Sequence, residues 1–232
     1  MTASVLAGFW IYRLRPSWRL LDRVARRTGV EEAITVLADL GAGGPRLRAA
    51  YSLIGTRPDA DLMLWLVGGD LESVRGPLLQ LRGTGLGPHL EARDVYIGFG
   101  SPSRYAPDHR PAFLRGEQPG RYAAVYPFVK TPEWYLLPEE DRRRMMAEHG
   151  RLGRAFRVRA NTLRAFGLGD HEHVVALEAE SLEELVDCVE ALRAASVRRY
   201  TQRDVPIYLG LRRDLEAAFR ELMPVESVHG PG

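Results

Sequence analysis

One cysteine, Cys188, stands in 232 residues. A lone thiol excludes an intramolecular disulfide framework and suits a reducing, cytoplasmic compartment. In the stretch ELVDCVEALR it is expected as a small buried hydrophobe rather than a nucleophile. Long apolar runs are also missing: none reaches the ~20 residues that a membrane-spanning helix needs. The run from Val5 to Tyr12 has no basic residue before it and no cleavage-site pattern, so it reads as a strand and not a signal peptide. Charge of one sign is scarce. Lys plus Arg number 32 against 30 Asp plus Glu, a net charge of +2. The arginines are scattered without a basic block, which gives no footing for a nucleic-acid partner. What remains, 45% hydrophobic and 27% charged, is an ordinary globular profile. The length fits one large domain or two small ones.

The chain contains a repeat. LMLWLVGGDLESVRGPLLQLR, from Leu62, aligns without gaps on HVVALEAESLEELVDCVEALR, from His173, and WIYRLRPSW, from Trp10, aligns on YPFVKTPEW, from Tyr126. Apolar patterning reads the first half as strand 5–14, a helix over 18–40 capped by Ser17 and broken near Gly29, strands 46–55 and 61–67, a helix over 71–82 bent at Gly76–Pro77, and strand 93–99. The second half reads as strand 123–130, helix 138–156, strands 158–166 and 171–180, helix 182–193 and strand 205–211. Each half is a β-α-β-β-α-β, ferredoxin-like unit. The expected fold class is α+β: halves 1–100 and 121–232, joined by a proline- and glycine-rich linker 101–120, with their sheets associated into a dimeric α+β barrel. Tyr126 and Lys130 stand where the first half has Trp10 and Leu14, so the chemistry is expected in the second half.

The densest stretch is YPFVKTPEWYLLPEEDRRRMMAEHGRLGR, Tyr126 to Arg154. It reads as a strand with unlike faces, a turn, and a helix opened by Pro138 and three acids near the positive end of its dipole. On that helix Met145, Met146, Leu152 and Gly153 surround His149, away from Arg142 to Arg144. Gly150 and Gly153 are expected to keep the helix surface low beside it. A lone histidine on an apolar face is ordinarily a buried group bonded to a backbone carbonyl.

YPFVK, EWYLLP and EEDRRRMMAEHG, with DADLMLWLVG and HRPAF upstream and RANT…AFGLGD downstream, closely resemble the chlorite dismutase-like haem proteins. The resemblance is strongest to their coproheme decarboxylase branch in its actinobacterial form, and it spans nearly the whole chain. It implies that His149 is the axial ligand of a porphyrin iron and that Tyr126 becomes a radical which takes a hydrogen atom from a propionate arm. A phenol, with a pKa of about 10, is a poor base at neutral pH but an oxidisable group. It implies that His109, 17 residues before Tyr126 in the linker, is the distal base toward hydrogen peroxide. Lys130 pairs with a propionate as a point charge where the relatives more often carry the arginine fork. Trp134 and Tyr135 wall the pocket near the propionates, with core packing as the equal alternative. Arg193 is matched by Arg82 in the repeat, which suggests a structural role, with a propionate contact still open.

One departure stands out. The resembling proteins carry arginine or glutamine on the strand after the proximal helix; counting back from Gly167 puts Ala160 there. This argues against chlorite chemistry and leaves His109 as the distal polar group. Asp170-His171-Glu172-His173 invites a second metal site, since alternation puts both histidines on one face, but no third ligand is evident. The implied activity is peroxide-dependent decarboxylation of coproheme to haem b, in which the iron porphyrin is both substrate and redox centre. The implied assembly is a homopentamer. Two other readings stay open: a haem peroxidase or chlorite-decomposing enzyme, and a haem carrier or sensor without turnover.

Overall fold

The strand register reproduces the repeat. In the computed structural model, which describes residues 5–40, 44–105 and 110–223, the first half comprises β1 (Val5–Leu14), α1 (Arg23–Ala38), β2 (Arg46–Ser52), β3 (Leu62–Gly68), α2 (Leu71–Arg82) and β4 (Leu90–Gly100). The second comprises β5 (Tyr122–Lys130), α3 (Pro132–Leu136), α4 (Glu139–Gly153), β6 (Arg159–Arg164), β7 (His173–Ala179), α5 (Leu182–Arg193), β8 (Thr201–Arg203), β9 (Tyr208–Arg213) and α6 (Leu215–Arg220). Trp10 pairs with Leu64 and Tyr12 with Leu62. Their repeat partners pair in the same way, Tyr126 with Val175 and Phe128 with His173. Each half has the order β4-β1-β3-β2 or β9-β5-β7-β6, the ferredoxin-like arrangement. Two seams, β4 with β6 and β2 with β9, join the halves, so that eight antiparallel strands close into a barrel and β8 extends beside β5.

Closure gives every strand an inside and an outside. Ala7, Phe9 and Ile11 of β1 point inward with Met63, Trp65, Val125, Val174 and Tyr208. Phe9 and Trp65 rings lie 4.6 Å apart, tilted by 42°. The outward residues of the first half, Trp10, Tyr12, Leu62, Leu64 and Leu66, are sealed under α1, α2 and α6. The near-continuous apolar runs of β1 and β3 therefore reflect strands buried on both faces.

One polar knot sits inside. Glu178, fully buried, accepts from Arg48 Nη2 (2.8 Å), Tyr51 Oη (3.0 Å), Asn161 Nδ2 (2.9 Å) and the Gly120 N–H (3.2 Å). Arg48 also donates to the Glu117 carbonyl, and Asn161 accepts from the Phe113 N–H at 2.9 Å. These bonds span both halves and tie down the end of the linker.

Several boundaries differ from the sequence reading. The first helix is capped by Asp22, whose carboxylate accepts the Ala25 N–H, and Pro16–Leu20 before it is a separate 3-10 turn. Gly29 does not break the helix. A Cβ there would meet backbone atoms of Gly85 and Leu86 at 2.8–2.9 Å, so the glycine serves close packing. Pro77 is accommodated within a continuous α2, held at its start by a capping box between Asp70 and Ser73. The linker contains a 3-10 turn, Ala112–Arg115. Among the described residues no helix is long and apolar enough to cross a membrane.

Candidate functional site

On the outer face of the second half the side chains form cross-strand rows. Ala124, Leu177 and Ala160 make the first row, under Leu185 and Val189 of α5. Tyr126, Val175 and Thr162 make the second; Phe128, His173 and Arg164 make the third, continued by Phe99 on β4. Exposure rises along this series: Ala124 and Leu177 are buried, Tyr126, Val175, Phe128 and His173 half-buried, and Thr162 and Arg164 exposed. The result is an open shelf that runs into a cavity of about 370 Å³ lined by Phe99, Arg164, Phe166 and Leu168. Thr162 is the exposed residue of β6 in the Tyr126 row, while Ala160 is packed under α5. The sequence reading took Ala160 for the distal position, set Arg159 and Arg164 aside as out of register, and did not weigh Thr162.

Beside the shelf, α4 packs on α5 and on the 3-10 turn Ser196–Tyr200. Glu148 anchors it there, accepting from the Ser196 N–H (3.1 Å) and the Ser196 hydroxyl. Met145 joins Trp134, Ala195 and Val197 in a small core that Met146 and Leu152 flank. His149 is neighbour to that anchor. Among the described residues its Nδ1 is buried without a hydrogen-bond partner, which Nε2 is not. Burial, reinforced by Lys130, holds its pKa below the ordinary imidazole value, against the pull of Glu148. The ring is therefore neutral at pH 7, the form in which imidazole binds a metal. Gly153 does not open space beside it: a Cβ there would touch Leu192 of α5 at 3.5 Å.

The other expected site residues are brought together in part. Tyr126 is pushed up to about 12, by burial first, with Arg193 pulling down and Asp204 pulling up. Arg193 is an ion-pair partner of Asp204, which also takes Arg198 Nη1 at 2.5 Å. Lys130 is buried, its ammonium 4.4 Å from the Trp134 ring and 5.1 Å from that of Phe128. Desolvation lowers it to about 8, opposed by Glu172 and assisted by Arg198. Trp134 is buried between Tyr105 and Tyr200, and the Lys130 ammonium lies against both its ring and that of Phe128 on the shelf. Tyr135 is exposed at the rim and donates to Glu172 Oε2 at 2.5 Å. His109 lies outside the described residues.

The expectation that His171 and His173 share a face is overturned. β7 begins at His173, and His171 sits in the preceding loop, its ring 5.3 Å from Tyr96 of the barrel interior. His173 lies on the outer face between Phe166 and Phe128. The two imidazoles are on opposite sides of the sheet and are not a ligand pair. Among the described residues no three His, Cys, Asp or Glu side chains are grouped to hold a metal ion.

Residues 26–213 match the family model described as chlorite dismutase. The chain belongs to the chlorite dismutase family. A Mycolicibacterium smegmatis relative, a coproheme decarboxylase, is 40% identical over 195 residues, which cover 83% of this chain and 84% of that one. Among solved structures of the family, an arginine-to-lysine variant of chlorite dismutase from Candidatus Nitrospira defluvii superposes with a TM-score of 0.86 at 25% identity, covering 96% of both chains. The same protein in complex with imidazole gives 0.84 at 25% identity, again over 96% of both. The resemblance inferred from YPFVK and EEDRRRMMAEHG is thus borne out, as is the duplicated ferredoxin-like α+β fold.

Proposed function

We propose that this member of the family is a cytoplasmic haem-biosynthetic decarboxylase that converts coproheme to haem b with hydrogen peroxide. Per arm, a propionate, one hydrogen peroxide and one proton give a vinyl group, carbon dioxide and two waters; two arms react in succession. The observation that carries the reading is that Lys130, which acts on the neutral imidazole of His149, lies on the strand of the oxidisable phenol Tyr126 and touches the Phe128 ring of the shelf. The 40% identity to a coproheme decarboxylase supports it.

The residues fit an iron porphyrin. His149 would hold the iron through Nε2, which shifts the ring proton to Nδ1, buried and without a hydrogen-bond partner among the described residues. The porphyrin supplies the redox centre when bound. The chain supplies the rest. Val175 and Phe128 offer apolar surface to a flat ring, Lys130 offers positive charge to a carboxylate, and Tyr135 stands at the rim. Tyr126 gives up a hydrogen atom and takes one from the propionate arm; its phenol is kept protonated by burial. Arg193, engaged by Asp204, borders the phenol rather than standing free. His109 takes the peroxide proton. A homopentamer is the assembly that goes with this reading.

Mass spectrometry of the porphyrin after peroxide is added to the coproheme complex tests the proposal. Loss of two carboxyl groups is expected, with no oxygen released from chlorite. Unchanged coproheme would leave a carrier or sensor as the reading.

A further inference from the structure

The gapless repeat sets His173 against Leu62, which is fully buried in the first half. An apolar core position has become an imidazole on the open shelf. β5–β7 pairing puts it opposite Phe128, diagonal to Tyr126 on the same face. The ring is held edge-on, 5.0 Å from Phe166 and 6.5 Å from Phe128. Among the described residues Nδ1 is buried without a hydrogen-bond partner, which Nε2 is not.

A neutral imidazole carries one proton. Placed on Nδ1, it would be a buried donor without an acceptor; placed on Nε2, it faces the shelf. The ring is neutral at physiological pH because burial pushes it down to about 4; Lys130, Arg164 and His171 add to that and Glu172 opposes it. His173 therefore presents a fixed N–H donor with two flanking cations, Lys130 and Arg164. The one nearby carboxylate, Glu172, is already committed to Tyr135 Oη (2.5 Å) and the Lys130 N–H (2.8 Å). A donor between two cations takes an anionic oxygen acceptor.

We propose that His173 donates a hydrogen bond from Nε2 to a carboxylate arm of the bound porphyrin, in a subsite flanked by Lys130 and Arg164. This rests on the shelf being the porphyrin site, and it assigns one arm a definite anchor there. A neutral donor sets direction where the flanking ammonium and guanidinium set charge.

The test is fluorescence titration of the full chain with metal-free coproporphyrin, which needs no turnover. His173→Leu, the residue of the first half, is expected to bind at least about tenfold more weakly, the size of one lost hydrogen bond to a charged group. His173→Gln, whose amide reaches the Nε2 position, is expected within about threefold of wild type, and His173→Asn, whose amide does not, as weak as Leu. Should the leucine variant fail to fold, the Gln–Asn contrast decides. Equal affinity across the folded variants overturns the subsite while wild-type binding upholds the shelf as the porphyrin site. Wild-type protein without affinity for coproporphyrin overturns both.

Discussion

The two halves share topology and register but treat the outside of the barrel differently. In the first half, Trp10, Tyr12, Leu62 and Leu64 are sealed by α1, α2 and the C-terminal α6. In the second, α5 covers the Ala124 row and stops; α4 stands to one side, fastened by Glu148 to Ser196. Tyr126, Phe128, His173 and Val175 occupy the same register positions and stay half-buried. A site has been made here by withholding cover from one copy of a duplicated sheet, with Tyr126 in place of Trp10 and His173 in place of Leu62 among the uncovered positions. The copy that keeps its cover is the stability reserve for the one that does not.

The strongest way to break this comparison is to undo one of those replacements. Tyr126→Phe keeps the packing of the second half and removes only the phenol. Under the proposed function coproheme still binds within about threefold, and vinyl formation falls below detection in the mass-spectrometric assay. The expected loss exceeds about 10³-fold, because the phenol is the reacting group rather than an assisting one. Wild-type yield of haem b from this variant sinks the radical role of Tyr126.

The shared interior is the control region, because both halves depend on it. Glu178→Ala strands Arg48 in the barrel without its carboxylate, leaves Tyr51 without an acceptor and leaves Asn161 Nδ2 with only the longer bonds to the Arg159 and Ala176 carbonyls. Removing one partner of a buried ion pair costs about 3–5 kcal/mol. For a chain of this size that corresponds to a fall of very roughly 10 °C in melting temperature. A fall of under 2 °C in a thermal melt by circular dichroism would show that the knot contributes little.

Lys130 sharpens the contrast, since the first half has Leu14 there. Burial takes its ammonium from 10.5 to about 8, so folding disfavours the charged form. From about pH 8 to 10.5 the unfolded chain binds more protons at this position than the folded one. This contribution to stability therefore rises with pH through that window, is complete above about 10.5 and is lost as pH falls through about 8. Lys130→Met should flatten that rise in chemical denaturation and stabilise the protein at pH 7 by roughly 1 kcal/mol, as replacement of a buried charge often does. It should at the same time weaken coproporphyrin binding at pH 7. A variant that is less stable at pH 7 than wild type contradicts this account.

Much of this was legible before the coordinates. The helix 182–193 and the like order of elements in the two halves were read beside the repeat, because a gapless match carries element order with it. The apolar runs of β1 and β3 read as strands; that they are buried on both faces came from the closed barrel and its helices. What escaped reading depended on long-range packing. Ser17 looked like a cap, but Asp22 begins the helix, and Gly29 looked like a break when its lack of a side chain admits Gly85. His171 and His173 looked like a pair on alternation alone; the strand begins at His173, so the alternation does not reach its neighbour in the loop. Thr162 went unweighed because counting along the strand does not tell which of two same-face residues α5 covers. The convergence of Arg193 and Arg198 on Asp204 joins a helix end, a 3-10 turn and a loop, and no local pattern encodes it.

That convergence gives the smallest predicted effect. Two guanidinia and one carboxylate border the Tyr126 phenol, where the first half has only apolar cover over Trp10. Burial is the main reason that the phenol lies near 12; Arg193 and Arg198 oppose the rise and Asp204 supports it. Asp204→Asn keeps the volume and removes the negative charge, leaving two cations uncompensated beside the phenol. Phenolate is then easier to form, and electron loss from the neutral phenol is harder, because a cationic surrounding favours the anion and disfavours an oxidised ring. The phenol pKa is expected to fall by about one pH unit or less, as a change of one nearby charge allows. The measurement is a ¹⁹F NMR titration with 3-fluorotyrosine placed at position 126, comparing variant with wild type so that the effect of the fluorine cancels. Asp204→Glu, which keeps the charge, should titrate close to wild type. If the asparagine variant titrates at or above the wild-type value, the triad does not set the charge at Tyr126, and the uncovered half owes its phenol environment to burial alone.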